Sequence, residues 1–289
     1  MNEQKTPTTT IKRQPIIINK EPSLTNPVSQ MATEDQCRSD AFVYWCKEIR
    51  LPHEPIFHRK LWEYAYILQC LSETGMMSPG KRGLAFGVGK EPLVAVMAAR
   101  GSEIVATDLD PDEATKQGWA GTGQYAPTLE ALNDRGICPT ERFNAKVSYR
   151  VVDMNSIDAD LVGFDFVYSS CALEHLGSIA MGLRFIKNSL NCLRPGGIAV
   201  HTTEFNVFSN DATIDNQQTV LFRRQDIDGL AKELLGQGHS LVLNYNTGSG
   251  TFDRHIDVPP WTGIHLKLQL EQYVTTSLGL LIKKSSKIK

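Results

Sequence analysis

The residues of this chain best suited to chemistry stand at the ends of apolar runs. Gly83-Leu84-Ala85-Phe86-Gly87-Val88-Gly89-Lys90-Glu91-Pro92 reads as a strand, a Gly-x-Gly turn and a helix start. Glycines at 87 and 89 let the backbone bend tightly and let a ligand approach closely. Pro92 suits a first helical turn, and free N–H groups at such a start favour a negative group. Nineteen residues after Gly89, the run Ile104-Val105-Ala106-Thr107 ends in Asp108. A carboxylate at the tip of a second strand can accept two hydrogen bonds from a ribose diol. Tyr149-Arg150-Val151-Val152 likewise ends in Asp153-Met154. That acid can accept from an exocyclic adenine amine, and the thioether can lie against the ring. Each feature also has a plainer reading: an ordinary strand-to-helix turn, a helix cap at Asp108, a turn-capping acid at Asp153.

The spacing discriminates among ligands. A nicotinamide or flavin fingerprint would place its third glycine at position 92, which is Pro92, and no G-K-[ST] follows to make a phosphate loop. An adenosine ligand without a pyrophosphate remains. On these residues the chain, from about 80 to 284, resembles class I S-adenosylmethionine-dependent methyltransferases. The matching motifs are the Phe86–Gly89 turn, Asp108, Asp153, the run Phe164–Ser170 leading into Leu173-Glu174-His175-Leu176, and Leu193-Arg194-Pro195-Gly196-Gly197 before a further strand.

The resemblance implies a Rossmann-like, doubly wound, mostly parallel seven-stranded sheet with an antiparallel C-terminal strand between the fifth and sixth. It implies S-adenosyl-L-methionine as cofactor, held by Phe86, Gly87, Val88, Gly89, Asp108, Leu109, Asp153, Met154 and Ser169. The activity implied is transfer of the sulfonium methyl to a small molecule, at an oxygen of a polar or sugar-like acceptor. Two departures stand out: the acid usual two residues before the first glycine is Ala85, and the third glycine is Glu91. They keep open a non-catalytic adenosine-binding or interaction protein of the same fold.

A methyl that arrives activated needs orientation and exclusion of water, and a hydroxyl acceptor calls for a general base. The crevice of an open α/β sheet lies beyond its strands' C-terminal ends. Glu174 and His175 follow the fourth strand there, and His201 and Glu204 lie on or just past the fifth. His175 is the first candidate base because imidazole titrates near neutrality; the plainer reading of these residues is caps and crevice walls. Asp253, Arg254, His255 and Asp257 offer polar groups to a sugar or glycan-precursor acceptor, or else a loop that stabilises itself. Val258-Pro259-Pro260-Trp261 is similar to the Asn/Asp-Pro-Pro-aromatic signature of amino-methylating nucleic-acid enzymes. That signature follows the fourth strand, where this chain has Ser170-Cys171-Ala172-Leu173, so the match is read as coincidence.

Composition agrees. The 289 residues carry 30 basic and 32 acidic side chains, for a net charge of −2, which gives no field for a nucleic-acid partner. The apolar runs fall short of the ~20 residues of a membrane span, and no secretory signal is visible. Six cysteines without a C-x-x-C pair read as free thiols of a reducing, cytoplasmic protein with no metal.

The elements that must position these residues follow from periodicity. Residues 1–35 read as a disordered leader and 36–78 as a helical extension, with Phe42, Trp45, Cys46 and Ile49, then Leu61, Tyr64, Ala65 and Leu68, at helical spacing. The domain proper runs over 79–289. Strands are expected at 83–87, 103–109, 147–154, 165–170 and 197–203, and helices at 92–100, within 112–135, at 179–193 and at 225–236. Strands that are apolar throughout suggest a parallel sheet covered on both faces. Leu241–Tyr245 and Tyr273–Lys283 then read as two antiparallel strands joined by a loop of about 25 residues.

Overall fold

The computed structural model describes residues 16–51, 57–126 and 128–287. In chain order the elements are β1 (Ile16–Ile18), β2 (Ser29–Met31), α1 (Glu34–Arg38), α2 (Asp40–Glu48), α3 (Arg59–Glu73), β3 (Arg82–Phe86), α4 (Leu93–Ala99), β4 (Glu103–Asp108), α5 (Pro111–Lys116), α6 (Thr140–Lys146), β5 (Val147–Val151), β6 (Phe164–Ser170), α7 (Ile179–Cys192), β7 (Leu193–Asn206), α8 (Arg224–Gly236), β8 (Val242–Asn244), α9 (Thr251–Arg254), β9 (Leu268–Leu270) and β10 (Tyr273–Lys283). They form a ten-stranded sheet in the order β1-β8-β2-β10-β7-β6-β3-β4-β5, with β9 paired to β10.

The expected seven-stranded core is β3 to β8 plus β10. Its strands send successive side chains to opposite faces. Ala85, Phe166, Tyr168 and Val200 join one apolar cluster with α1 to α4 and α6, whereas Leu84, Phe86, Val167 and Ala199 join another with α7 and α8. Both faces are therefore covered, as a parallel sheet requires. β10 runs antiparallel to β7 from Thr275↔Asn206 to Lys283↔Ile198.

The start of the chain differs from expectation. The leader predicted over 1–35 enters the sheet from Ile16 on, while residues 1–15 lie outside the described residues. β1 pairs in parallel with β8, and β2 is wedged between β8 and β10. The terminal strand thus has β7 on one side and, on the other, a strand from the beginning of the chain rather than β8. A three-residue strand buries too little to form alone; here the open edges of β8 and β10 supply its hydrogen bonds.

The helices expected over 36–78 are not an appendage. Trp45 and Trp62 are buried in the same cluster as Val94 and Tyr168. Trp45 Nε1 donates to Gln69 Oε1 at 2.6 Å, and Trp62 stacks on Tyr66 with ring centroids 4.9 Å apart. Each such aromatic, removed from water, contributes on the order of 2–3 kcal/mol. Between β4 and β5 the chain makes α5, two short 3-10 turns at Trp119–Thr122 and Leu129–Asn133, and then α6, a two-turn helix anchored by Phe143 that the sequence pattern did not reveal.

Candidate active site

At the C-terminal ends of β3 to β6 lies a cavity of about 750 Å³. Its inner wall is the turn after β3. Gly87 and Gly89 both have positive φ, +59° and +47°. A Cβ at Gly87 would stand 2.9 Å from Ala172 Cβ, and one at Gly89 would stand 2.7 Å from the Gln124 carbonyl oxygen. Side chains there would both strain the backbone and close the cavity.

The N–H groups of this turn are already used. Val88 N donates to Thr107 O (3.1 Å), Gly89 N to Asp108 Oδ2 (2.8 Å), Lys90 N to Gln124 O (2.7 Å) and Glu91 N to Val88 O (3.1 Å). The four turn N–H groups from Val88 to Glu91 are therefore not free to cradle a phosphate.

Asp108 lines the cavity from the tip of β4. Its two oxygens accept from Gly89 N and Leu109 N, each at 2.8 Å, which fixes the carboxylate and leaves lone pairs for a diol. Burial pushes its pKa up, against those two N–H donors. Leu109, Asp153 and Met154 line the same cavity, and the Met154 thioether lies 3.4 Å from where a Gly87 Cβ would be. Asp153 also accepts from Asn155 N at 2.7 Å, so it caps its turn while facing the cavity. These residues fit an adenosine: a glycine cradle, a fixed carboxylate for the sugar, and an acid and a thioether for the base.

Three expected cofactor residues lie behind this wall. Phe86 and Val88 are core side chains, Phe86 packing edge-on against Phe185 at 5.1 Å. Ser169 is buried and bonded to His201 Nδ1 at 2.8 Å. His201 is held in addition by Ser189 Oγ at 3.2 Å, and burial pushes its pKa down to about 3. It is a neutral core histidine.

The three candidate bases separate likewise. His175 lines the cavity. Its Nδ1 lies 2.9 Å from the Gln218 carbonyl, which can only accept. Nδ1 therefore carries the proton of the neutral ring, and Nε2 keeps a lone pair. Trp119 packs edge-on against this imidazole at 4.7 Å. Glu174 is fully buried and accepts from Thr203 Oγ1 at 3.1 Å. Glu204 accepts from Thr275 Oγ1 at 2.7 Å and pairs with Arg59; burial raises its pKa to about 7 despite that cation. Neither glutamate lines the cavity. Cys171, Glu174 and Glu204 bring potential ligand atoms within 4.8 Å of one another. The Arg59 guanidinium stands among them, 3.4 Å from Cys171 Sγ.

Nor does the late loop reach the cavity. Asp253 accepts from Glu34 N (2.7 Å) and Gly250 N (3.0 Å), and Asp257 accepts from Thr262 N (2.9 Å) and faces His265 Nδ1 (2.7 Å). The acids that suggested a sugar acceptor are consumed in holding the loop together.

Other parts of the site were invisible in the sequence. The outer wall is made by Gln117, Trp119, Gln124 and Tyr125 from the segment after α5 and by Asn216–Gln218 from the segment before α8. Gln218 Nε2 donates to Gln117 O at 3.0 Å and links the two. The floor is charged: Lys60 Nζ lies 2.9 Å from Glu91 Oε1 and 3.6 Å from Glu63 Oε2. The one signal for it is the trio Arg59, Lys60 and Glu63 at the start of a helix whose middle turns, Tyr64–Leu68, are apolar and aromatic.

A family model described as a methyltransferase domain matches residues 60–266. The chain belongs to the methyltransferase domain family. That membership agrees with the expected S-adenosylmethionine-dependent methyl transfer. Among solved structures the chain is similar to phosphoethanolamine N-methyltransferase 2 of Haemonchus contortus, in complex with phosphomonomethylethanolamine and S-adenosylhomocysteine: 20% identity, TM-score 0.43, 69% of this chain and 43% of that one. It therefore spans less than half the length of that enzyme. It is similar also to an S-adenosylmethionine-dependent methyltransferase from Clostridium acetobutylicum (12% identity, TM-score 0.43, covering 77% and 90%). A third is magnesium protoporphyrin IX methyltransferase from Synechocystis PCC 6803 with bound S-adenosylmethionine (11% identity, TM-score 0.46, covering 87% and 95%). No curated protein matches the sequence. Among the described residues no helix is long and apolar enough to cross a membrane.

Proposed function

We propose that this methyltransferase acts on an oxygen of a small polar acceptor held between the adenosine wall and the outer wall, with His175 as general base. The observation that carries the proposal is the His175 ring: it lines the cavity, and its Nδ1 hydrogen bond to the Gln218 carbonyl leaves Nε2 basic. The cavity volume, about 750 Å³, lies within the ~300–1,000 Å³ typical of small-molecule sites. Its lining amides of Gln117, Asn216, Gln217 and Gln218 suit an uncharged polar acceptor.

When bound, the cofactor supplies an electrophilic methyl on a sulfonium. Asp108, Asp153 and Met154 would hold its nucleoside. Trp119 and Tyr125 narrow the outer side and exclude water, and His175 takes the acceptor's proton as its oxygen attacks. The Gln218 carbonyl and the Trp119 ring keep the imidazole in one tautomer and one orientation.

The test pairs binding with turnover. Calorimetry with S-adenosylhomocysteine checks the cofactor site. With an acceptor found by screening small hydroxylated molecules, His175→Ala is expected to lower kcat by about 10²–10⁴-fold and to leave S-adenosylhomocysteine affinity unchanged. Unaltered kcat in this variant removes His175 from the chemistry.

A further inference from the structure

We infer that Glu91 receives the ammonium of the cofactor's amino-acid end and so replaces the acid missing at Ala85. The inference rests on the proposed cofactor site and deepens it.

Glu91 begins the second half of the glycine turn and lines the cavity, yet it is only 6% exposed. One of its oxygens, Oε1, holds Lys60 Nζ at 2.9 Å, whereas Oε2 is buried and has no hydrogen-bond partner, the neighbouring Ser170 hydroxyl donating to Glu63 Oε2 instead. An orphaned acceptor at a cavity wall is rare and marks a group kept for a ligand. The charges around it are unequal. Lys60 is shared with Glu63 at 3.6 Å, and Arg59 is divided between Glu63, at 3.2 Å, and Glu204. Glu63, Glu91 and Glu204 thus share two cations, with Glu174 close beside Glu204, so the cluster favours a further positive charge. The cofactor's α-ammonium has the charge, and its three N–H donors match an acceptor with a free oxygen.

Ala85 cannot serve. It is fully buried in the strand, with its methyl in the apolar cluster shared by α3 and α4. Glu91 stands at the position of the third glycine, four residues beyond Gly87. A side chain there reaches the cavity because the backbone has already turned.

The experiment compares two nucleosides that differ only in the amino-acid end. Wild type and Glu91→Gln are titrated calorimetrically with S-adenosylhomocysteine and with 5′-methylthioadenosine, which lacks the ammonium. The expected result is that Glu91→Gln binds S-adenosylhomocysteine about 10- to 100-fold more weakly, the worth of a charge-assisted hydrogen bond, and binds 5′-methylthioadenosine as the wild type does. Retained 5′-methylthioadenosine binding shows that the variant is folded. Equal S-adenosylhomocysteine affinity in both proteins overturns the inference and leaves the cofactor site standing. Loss of both nucleosides in the variant also overturns it, since Glu91 would then be structural. A wild type that binds neither nucleoside overturns the cofactor site itself.

Discussion

The inner and outer walls of the cavity are built by different means. The inner wall is backbone: three strand tips, the glycine turn, and carboxylates pinned by backbone N–H groups, Asp153 by Asn155 N and Asp108 by Leu109 N and by Gly89 N of the glycine turn. The outer wall is side chains carried by segments far apart in sequence, joined by single contacts such as Gln218 to Gln117 and Trp119 to His175. A backbone wall has one geometry and suits an invariant ligand. A side-chain wall can be re-lined without disturbing the sheet, so it suits the part of a reaction that changes from one enzyme to the next.

The largest effect should come from breaking the inner wall. Gly89→Val places a Cβ 2.7 Å from the Gln124 oxygen at a φ of +47°. Strain of this kind costs about 1–3 kcal/mol, and the branched side chain adds bulk at the cavity wall. S-adenosylhomocysteine affinity should fall about 100-fold or more, measured by calorimetry, with the thermal midpoint lowered as well. Undiminished affinity would mean that the nucleoside does not lie over this turn.

What was legible in the sequence follows the same division. That Gly87, Gly89, Asp108, Asp153 and Met154 line one crevice could be read because their positions follow from a strand that ends and a turn that follows. The core strands were legible for the same reason. Lys60, Trp119 and Gln218 could not be read, because nothing within a few residues of each indicates which cavity it will face. Ser29-Gln30-Met31 was missed for a related reason: its strand conformation is imposed by the edges of β8 and β10, not by any pattern of its own. Glu174, Ser169 and Phe86 show the opposite error. A residue on or just past the right strand tip reads as a site residue, yet the alternation of the strand, or its neighbours, turns it inward.

A smaller effect tests the floor that joins the two walls. Burial raises the Glu91 pKa to about 7, while Lys60 opposes that rise and Glu63 adds to it. The groups facing it are Lys60, Glu63 and Tyr64 from α3 and Tyr168 and Ser170 from β6. A ligand ammonium favours the ionised carboxylate. Below its pKa the free carboxyl is protonated, so binding must release a proton. S-adenosylhomocysteine affinity should therefore be highest near pH 8, before the ligand's own ammonium loses its proton, and weaken toward tenfold per unit below pH 7, with 5′-methylthioadenosine as a control that lacks this slope. Identical pH profiles for the two nucleosides would assign the titration to another group.

The smallest effect on the site, and a contrasting effect on stability, is expected at Asp253. Its carboxylate accepts from two backbone N–H groups, Glu34 N and Gly250 N, while Glu34 Oε2 accepts from Phe252 N at 2.6 Å. This reciprocal pair ties α1 to the start of α9, on residues that do not line the cavity. Asparagine keeps the shape but can offer only one oxygen, so one buried N–H must face an amide N–H2 instead. Leaving such a donor unsatisfied costs about 1–3 kcal/mol. Asp253→Asn should accordingly lower the thermal midpoint, read by calorimetry, while S-adenosylhomocysteine affinity and kcat stay within about twofold of wild type, because distant sites without shared partners act independently. A raised KM for the acceptor at unchanged stability would reverse this reading and make the loop part of the outer wall.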